Sequence, residues 1–357
     1  MSAAPGPLLG CDEPVQTRYD VALLDLDGVV YRGPHGIEHA SDSVAAARAA
    51  GMRTMFVTNN AARSPQSVAD HLTELEIPTE PDQVITAAQA AAALIAAGAD
   101  AGTRVLVIGG SGLREAVLAE GLTLVDSADD RPTVVVQGLA LTLGWKDLTE
   151  AVYAISAGAS HLATNLDATL PTERGMALGN GSLVAAVVNA TGVQPRSTGK
   201  PQPEIFHQAA RRAGASRPIV VGDRLNTDLA GARAAGYPGL HVLTGVDQAR
   251  ELLRAIAAER PDLLAVDLRG LAQTHPAPEQ DGQWWRCGVA SARIDGKRLV
   301  LRTDDGERTL SERTEPGGNI TLDELRAGCA AAWTASDTAG VPTVLPVGFP
   351  QLTVTTA

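Results

Sequence analysis

Polar and apolar positions along this chain fall into two alternating kinds of block. Short, nearly continuous apolar runs recur at Tyr19-Asp-Val-Ala-Leu-Leu-Asp25, Arg53-Thr-Met-Phe-Val-Thr58, Arg104–Ile108, Thr133–Gln137, His161–Thr164, Ile219-Val-Val-Gly-Asp223 and His241-Val-Leu. Runs of that length and character suit strands buried on both faces of a parallel sheet. Between them lie stretches with helical spacing: near Ser41–Ala50, from Ser64-Pro65 (Ser64 as N-cap, Pro65 at the first position), an Ala-rich stretch after Asp82, a segment ending at Glu120, Asp147–Ala157 and Ser182–Ala190. Strands alternating with helices predict a doubly wound α/β fold with its active groups at the C-terminal ends of the strands.

Beyond about residue 270 the pattern changes. Thr274–Gly282 reads as a linker, and Val289–Ile294 and Arg298–Arg302 flank Asp295-Gly296-Lys297 as a hairpin. Asp305-Gly306 suggests a second turn, and Thr321-Leu-Asp-Glu324 is a capping box opening a helix with Leu322, Leu325, Cys329 and Trp333 along one side. Residues 275–357 are therefore expected to form a small α+β appendage. Three of the four tryptophans (Trp284, Trp285, Trp333) lie there, which points to aromatic surface buried against the chain's own core or in a homo-oligomer contact.

Composition narrows the function. A chain of 357 residues should hold two or three domains. Its formal charge of −12 argues against nucleic-acid and anionic-membrane partners, which need a basic face. Cys11, Cys287 and Cys329 have no metal-ligand spacing, and an odd number suits a reducing cytoplasm. The first residues lack the basic start and apolar run of a signal peptide, and the Ala-rich stretch is broken by Gln89, Gly98 and Asp100, against a membrane span. Only Lys146, Lys200 and Lys297 occur among 29 basic residues, so a lysine in a suggestive place carries weight.

The candidate chemistry sits at strand ends. Asp25-Leu-Asp27-Gly28 sets two carboxylates two residues apart beside a glycine, and Asp223 ends a second apolar run in Val-Gly-Asp-Arg-Leu-Asn-Thr-Asp228. Acids that close repel, and a hard cation relieves the repulsion. The bland alternative for the first pair alone is two solvated acids. Thr58-Asn59-Asn60 offers a hydroxyl and backbone donors for phosphate oxygens, and Lys200 in Thr198-Gly-Lys-Pro201 a compact positive charge. Gly109-Gly-Ser-Gly112 lacks nucleotide-loop spacing and reads as a strand-to-helix turn; His35 and His39 read as surface groups.

Asp25–Gly28 (DLDG), Thr58–Asn60 (TNN), Gly199–Pro201 (GKP) and Gly222–Asp228 (GDRLNTD), in that order, resemble the four motifs of the haloacid dehalogenase superfamily of phosphatases. The long insert between the second and third motifs resembles the branch with a large α/β cap. Within it, His161–Asp167, Pro171-Thr172 and Gly179–Leu183 look like the phosphoglycolate, nucleotide and pyridoxal phosphatase group. The resemblance spans about residues 18–265. It implies a Rossmann-like core at 1–81 and 196–270, and an inserted cap at 82–195 that closes over small substrates.

It also implies roles. Asp25 is the nucleophile, and Asp27 the general acid and then base. Asp25, the Asp27 carbonyl and Asp223 hold Mg²⁺; Thr58, Asn59, Asn60 and Lys200 hold the phosphoryl group; Asp228 orients Lys200 or a metal-bound water. Glycerol 3-phosphate and 2-phosphoglycolate are the first expected substrates, before pyridoxal phosphate and nucleoside monophosphates. A phosphomutase and a non-catalytic phosphometabolite sensor signalling through the tail are the rival readings. Gly138-Leu-Ala140 stands where relatives have Gly-x-Asp, and Leu178-Gly179 where they have Pro-Gly. Both departures lie in the expected cap and bear on substrate identity.

Overall fold

The apolar run before Asp25 folds as the strand Val21–Leu24, every residue of it buried. In the computed structural model, which describes residues 8–100, 102–172, 174–304, 306–312 and 318–355, it belongs to one of two compact units. The first unit comprises residues 1–54 and 215–357, the second 55–214.

Four strands of the first unit lie parallel in the order Leu263–Ala265, Gly239–Val242, Pro218–Gly222, Val21–Leu24. All their residues are buried, which accounts for their continuous apolar sequence. Residues 279–310 build a five-stranded antiparallel meander, Glu279–Asp281, Trp284–Cys287, Ala290–Asp295, Arg298–Thr303 and Gly306–Leu310, neighbours in sequence pairing in turn. The expected hairpin is present with a turn one residue shorter: Asp295 joins the first strand and pairs with Arg298, and Gly296 takes the positive φ of 62° that the two-residue turn needs. Asp305 of the second expected turn lies outside the described residues.

The helix Leu322–Ala339 starts on the expected capping box: the Glu324 N–H donates to Thr321 Oγ1 (3.2 Å) and the Thr321 N–H to Glu324 Oε2 (2.7 Å). Its apolar side enters a core shared with the earlier part of the unit. Leu325, Cys329 and Trp333 join Leu225, Leu229, Leu252 and Leu253 there, together with Leu299 and Leu301 of the meander. Arg260, 2% exposed, makes a bidentate pair with Asp337 of this helix (2.7 and 2.8 Å).

Thr274–Gly282 is not a linker. His275 is buried, bridges to Cys11, and donates from its Nε2–H to the Gly270 carbonyl (2.9 Å), with Nδ1 3.4 Å from Arg326 Nη2; Glu279–Asp281 is a strand. Proline and glycine in that stretch report local turns, and pairing with a distant segment leaves no local trace.

The second unit carries a five-stranded parallel sheet in the order Arg196–Ser197, Ser160–Ala163, Val134–Gln137, Arg104–Ile108, Thr123–Val125. The period of two along its strands sorts side chains to opposite faces. Val105 and Val107 pack with residues of Ala87–Ala97 and Ser111–Ala119, while Leu106 and Ile108 pack with residues of Trp145–Ser156 and Asn180–Thr191. The helix Pro65–Glu74 begins as expected, with Ser64 Oγ accepting from the Ser67 N–H (3.3 Å). The Gly109–Gly112 turn is structural: a Cβ on Gly112 would stand 2.7 Å from the Arg63 carbonyl oxygen. An antiparallel hairpin, Thr169–Thr172 with Gly175–Leu178, was not legible in the sequence.

Among the described residues no helix is long and apolar enough to cross a membrane. Cys11, Cys287 and Cys329 are free and buried.

Candidate active site

Register brings the acids of the first unit together. Val21–Leu24 and Pro218–Gly222 run parallel with Leu24 opposite Val221, and the Asp25 N–H donates to the Val221 carbonyl (2.9 Å). The residues that follow, Asp25 and Asp223, therefore leave the sheet at the same edge. The chain then winds through a single π-turn, Leu225–Leu229, which returns Asp228 to that edge. Asp25, Asp223 and Asp228 each place a carboxylate oxygen within 4.8 Å of the others. They are 9%, 0% and 1% exposed, so bulk water screens them little.

The cluster is held by backbone donors. Asp223 Oδ2 accepts from the Val246 N–H (2.7 Å), and Asp228 Oδ2 from the Arg224 N–H (3.1 Å). Gly28, at φ 92°, and Gly245 lie against the Asp223 carboxylate so closely that a Cβ on either would overlap it. Asp27 is exposed, beside the buried Asp25. Thr244 Oγ1 fixes the turn between them and the rest of the unit by donating to the Gly28 carbonyl (2.6 Å).

Two charged carboxylates at about 4.8 Å repel by roughly 3 kcal/mol at an effective dielectric near 20. Three buried carboxylates, all-oxygen donors and a cradle of glycines fit a small hard cation. Nearby, burial pushes the Asp247 carboxyl up and the fully buried His241 down to about 4. His241 is thus neutral at pH 7, and its Nε2–H donates to the Asp247 carbonyl (2.9 Å).

The remaining expected residues lie in the second unit, in a cluster of amides. Thr58, 4% exposed, ends the strand Arg53–Thr58, and its Oγ1 accepts from the Asn60 N–H (3.1 Å). The Asn59 side chain reads both backbone atoms of Lys200: Oδ1 accepts from the Lys200 N–H (2.7 Å) and Nδ2 donates to the Lys200 carbonyl (3.1 Å). Its Nδ2 also donates to Asp167 Oδ2 (3.2 Å). Lys200 is 4% exposed, and a Cβ on the preceding Gly199 would stand 2.6 Å from Asn59 Oδ1.

Behind this contact stands a second tier. Asn165 Nδ2 donates to the Asn59 carbonyl (2.8 Å), and Asn180 Nδ2 to the Asn165 carbonyl (2.8 Å). Asn165, Asp167 and Asn180 belong to stretches that carry the family resemblance, but no spacing rule singled them out. Nor was the Thr244–Asp247 loop assigned, although it follows the buried strand Gly239–Val242 just as Asp223 follows its own.

Over residues 22–123 the sequence matches the haloacid dehalogenase-like hydrolase family, and over 197–271 the HAD-hydrolase-like family. It is 47% identical over 325 residues to the D-glycerol 3-phosphate phosphatase of Mycobacterium tuberculosis, covering 90% of this chain and 88% of that one. To the 5'-nucleotidase YutF of Bacillus subtilis it is 39% identical over 230 residues, 64% of this chain and 88% of that one. The fold superposes on the M. tuberculosis glycerol phosphate phosphatase in complex with magnesium with a TM-score of 0.78 at 40% identity, covering 89% of this chain and 91% of the other. For the complex with calcium the TM-score is 0.80 at 38% identity, with 96% and 95% covered.

The chain belongs to the haloacid dehalogenase superfamily. It is a phosphoric monoester hydrolase with the parallel-sheet α/β core and cap of that class and additional small sheets at its C-terminus. An alignment of 325 residues also runs past residue 271, where the family match ends, so the M. tuberculosis relative shares sequence with the tail.

Proposed function

We propose that this chain hydrolyses glycerol 3-phosphate or a similarly small phosphate monoester, 2-phosphoglycolate next, through a phosphorylated Asp25 and with Mg²⁺ as cofactor. The observation that carries the reading is the buried cluster of Asp25, Asp223 and Asp228, with exposed Asp27 two residues from the nucleophile. A buried carboxylate at a cation site suits attack on phosphorus, and a solvent-facing one suits proton exchange.

In this mechanism an Asp25 oxygen forms a bond to phosphorus as the ester P–O bond breaks, and Asp27 gives its proton to the departing alkoxide. Water then attacks the same phosphorus, Asp27 takes its proton, and the P–O bond to Asp25 breaks to release inorganic phosphate. Mg²⁺ bound by the Asp25 carboxylate, the Asp27 carbonyl and Asp223, with Asp228 beside them, supplies the positive charge that lets an anionic nucleophile meet an anionic ester. Thr58 contributes a hydroxyl, Asn59 a backbone donor and Lys200 its ammonium to the transferring phosphoryl group, and Asn60, whose N–H is engaged with Thr58 Oγ1, steadies that hydroxyl. The Asn59 side chain, engaged with Lys200, acts by fixing that segment.

We assign residues 1–81 and 196–270 to the catalytic core and 82–195 to the cap that selects the substrate, and place the enzyme in the cytoplasm, where three free buried cysteines are at home. The phosphomutase and sensor readings are not favoured, because the relatives carry the names of phosphatases and a nucleotidase. Phosphate release from a panel of monoesters tests the proposal, run with Mg²⁺, with EDTA and with Ca²⁺. Hydrolysis led by glycerol 3-phosphate, lost with EDTA and suppressed by Ca²⁺, which takes more ligands at longer distances, is expected. No phosphate from any ester, or full activity in EDTA, refutes it.

A further inference from the structure

The tail has no place in the mechanism, yet its contacts lead to the metal site. The path begins at the peptide between Gly245 and Val246. Its N–H donates to Asp223 Oδ2 (2.7 Å), and its carbonyl accepts from Gln248 Nε2 (2.8 Å). Because a trans peptide is planar with these two groups pointing opposite ways, the Gln248 amide sets the angle at which the N–H meets the Asp223 carboxylate. Gln248 also donates to the Leu243 carbonyl (3.0 Å), so it spans the whole loop.

Gln248 is the N-cap of the short helix Ala249–Leu253, and its backbone N–H donates to Glu251 Oε2 (3.2 Å). That same oxygen accepts from Gln351 Nε2 of the tail (3.1 Å), while Gln351 Oε1 accepts from the Arg250 N–H (3.2 Å). Five residues make too short a helix to hold itself, and its terminal carbonyls need partners. The tail supplies one: the buried Trp333 Nε1–H donates to the Leu252 carbonyl (2.9 Å). Leu345 adds a carbonyl for Arg254 Nε just beyond the helix (3.3 Å).

We propose that the C-terminal tail is an intramolecular brace for the metal site, acting from Gln351 and Trp333 through the Ala249–Leu253 helix and Gln248 onto the peptide that orients Asp223. Gln351, Trp333 and Gln248 are thus positioning residues. The inference rests on the assignment of Asp223 as a ligand of Mg²⁺. It gives Gln351 a task that core packing does not, since this exposed side chain bonds the Ala249–Leu253 helix from outside the cluster that Leu325, Cys329 and Trp333 share with Leu252 and Leu253.

The test titrates Mg²⁺ into the full-length protein by calorimetry and by the rise in melting temperature, neither of which needs turnover. Gln351 is exposed, so Gln351→Glu leaves the core intact while setting a like charge against Glu251. The Mg²⁺ dissociation constant is expected to rise about 3- to 10-fold in Gln351→Glu and more in Gln248→Ala, below or near the ~10- to 100-fold typical of a residue that bonds a metal ligand directly. The substrate KM at saturating Mg²⁺ should stay unchanged. A Mg²⁺ constant within twofold of wild type in both single variants overturns the brace. Asp223→Asn separates the two readings: if it retains wild-type Mg²⁺ affinity, the metal-site assignment itself is wrong.

Discussion

The two units carry polar clusters of opposite character. In the first, three buried carboxylates of one sign face each other, steadied by backbone N–H groups and pressed against glycines. In the second, side-chain amides donate to backbone carbonyls and to the Asp167 carboxylate, and the Asn59 side chain commits both Nδ2 and Oδ1 to protein partners. A cluster of like charge gains most from a cation brought from outside. The amide network works by holding Lys200 and the Thr58–Asn60 turn in a fixed arrangement. One cluster carries chemistry through charge, the other through geometry, and substitutions should separate them on that basis.

The largest effect should come from removing charge at the first cluster. Asp25→Asn keeps the shape of the side chain and deletes the nucleophile, so kcat should fall about 10³-fold or more, with no phosphorylated protein trapped on acid quench. The melting temperature should hold or rise, because one of three repelling carboxylates is gone. Normal turnover in this variant would put the reacting charge elsewhere.

Gly245→Ala probes the same cluster without touching an acid. A methyl group there overlaps the Asp223 carboxylate, so the loop or the acid must move. Weakening of Mg²⁺ binding by about 100-fold, read by calorimetry, is expected from a displaced ligand. Unchanged affinity would show that the loop does not set Asp223.

At the second cluster the loss should be smaller and should fall on rate. Asn165→Asp removes the donor to the Asn59 carbonyl and sets a negative charge beside it, while keeping an acceptor for the Asp167 N–H. A misplaced Asn59–Lys200 segment should lower kcat/KM about 10-fold or more, with Mg²⁺ binding unaltered. If Mg²⁺ affinity dropped as much as kcat/KM, the division between charge and geometry would fail.

How far these clusters were legible follows from the same distinction. A parallel strand buried on both faces must be continuously apolar, so an acid ending such a run stands out, and Asp25 and Asp223 were found that way. Asp228 was expected to act behind the ligands. Its position beside them depends on the π-turn Leu225–Leu229, which no residue spacing announces. Asn165 and Asn180 are polar residues in polar surroundings, and their bonds join segments over a hundred residues apart to the Asn59 carbonyl or meet within the unit. The tail's helix was readable from its capping box and apolar side, whereas its grip on Ala249–Leu253 was not, because a lone Trp or Gln has no signature for its partner.

The smallest effect concerns Asp20, a carboxylate at the opposite end of the Val21–Leu24 strand from the acid cluster, and it tests whether single acids elsewhere in the first unit behave differently from the crowded ones. Partial burial raises the Asp20 pKa, but the backbone N–H groups of Ser216 (2.9 Å) and Arg217 (2.8 Å), and then Arg53 (3.2 Å), outweigh it and hold the carboxyl below its usual range. A depressed folded pKa stabilises the protein at pH values above the unfolded one and loses that stabilisation as the pH falls through the folded one. Asp20→Asn should therefore cost on the order of 1 kcal/mol or less at pH 7, as suits a site near the surface. The difference between variant and wild type should shrink as the pH drops below about 4, measured by urea unfolding at several pH values. A difference that stays constant down to pH 3 would mean that Asp20 acts through shape and not through its charge.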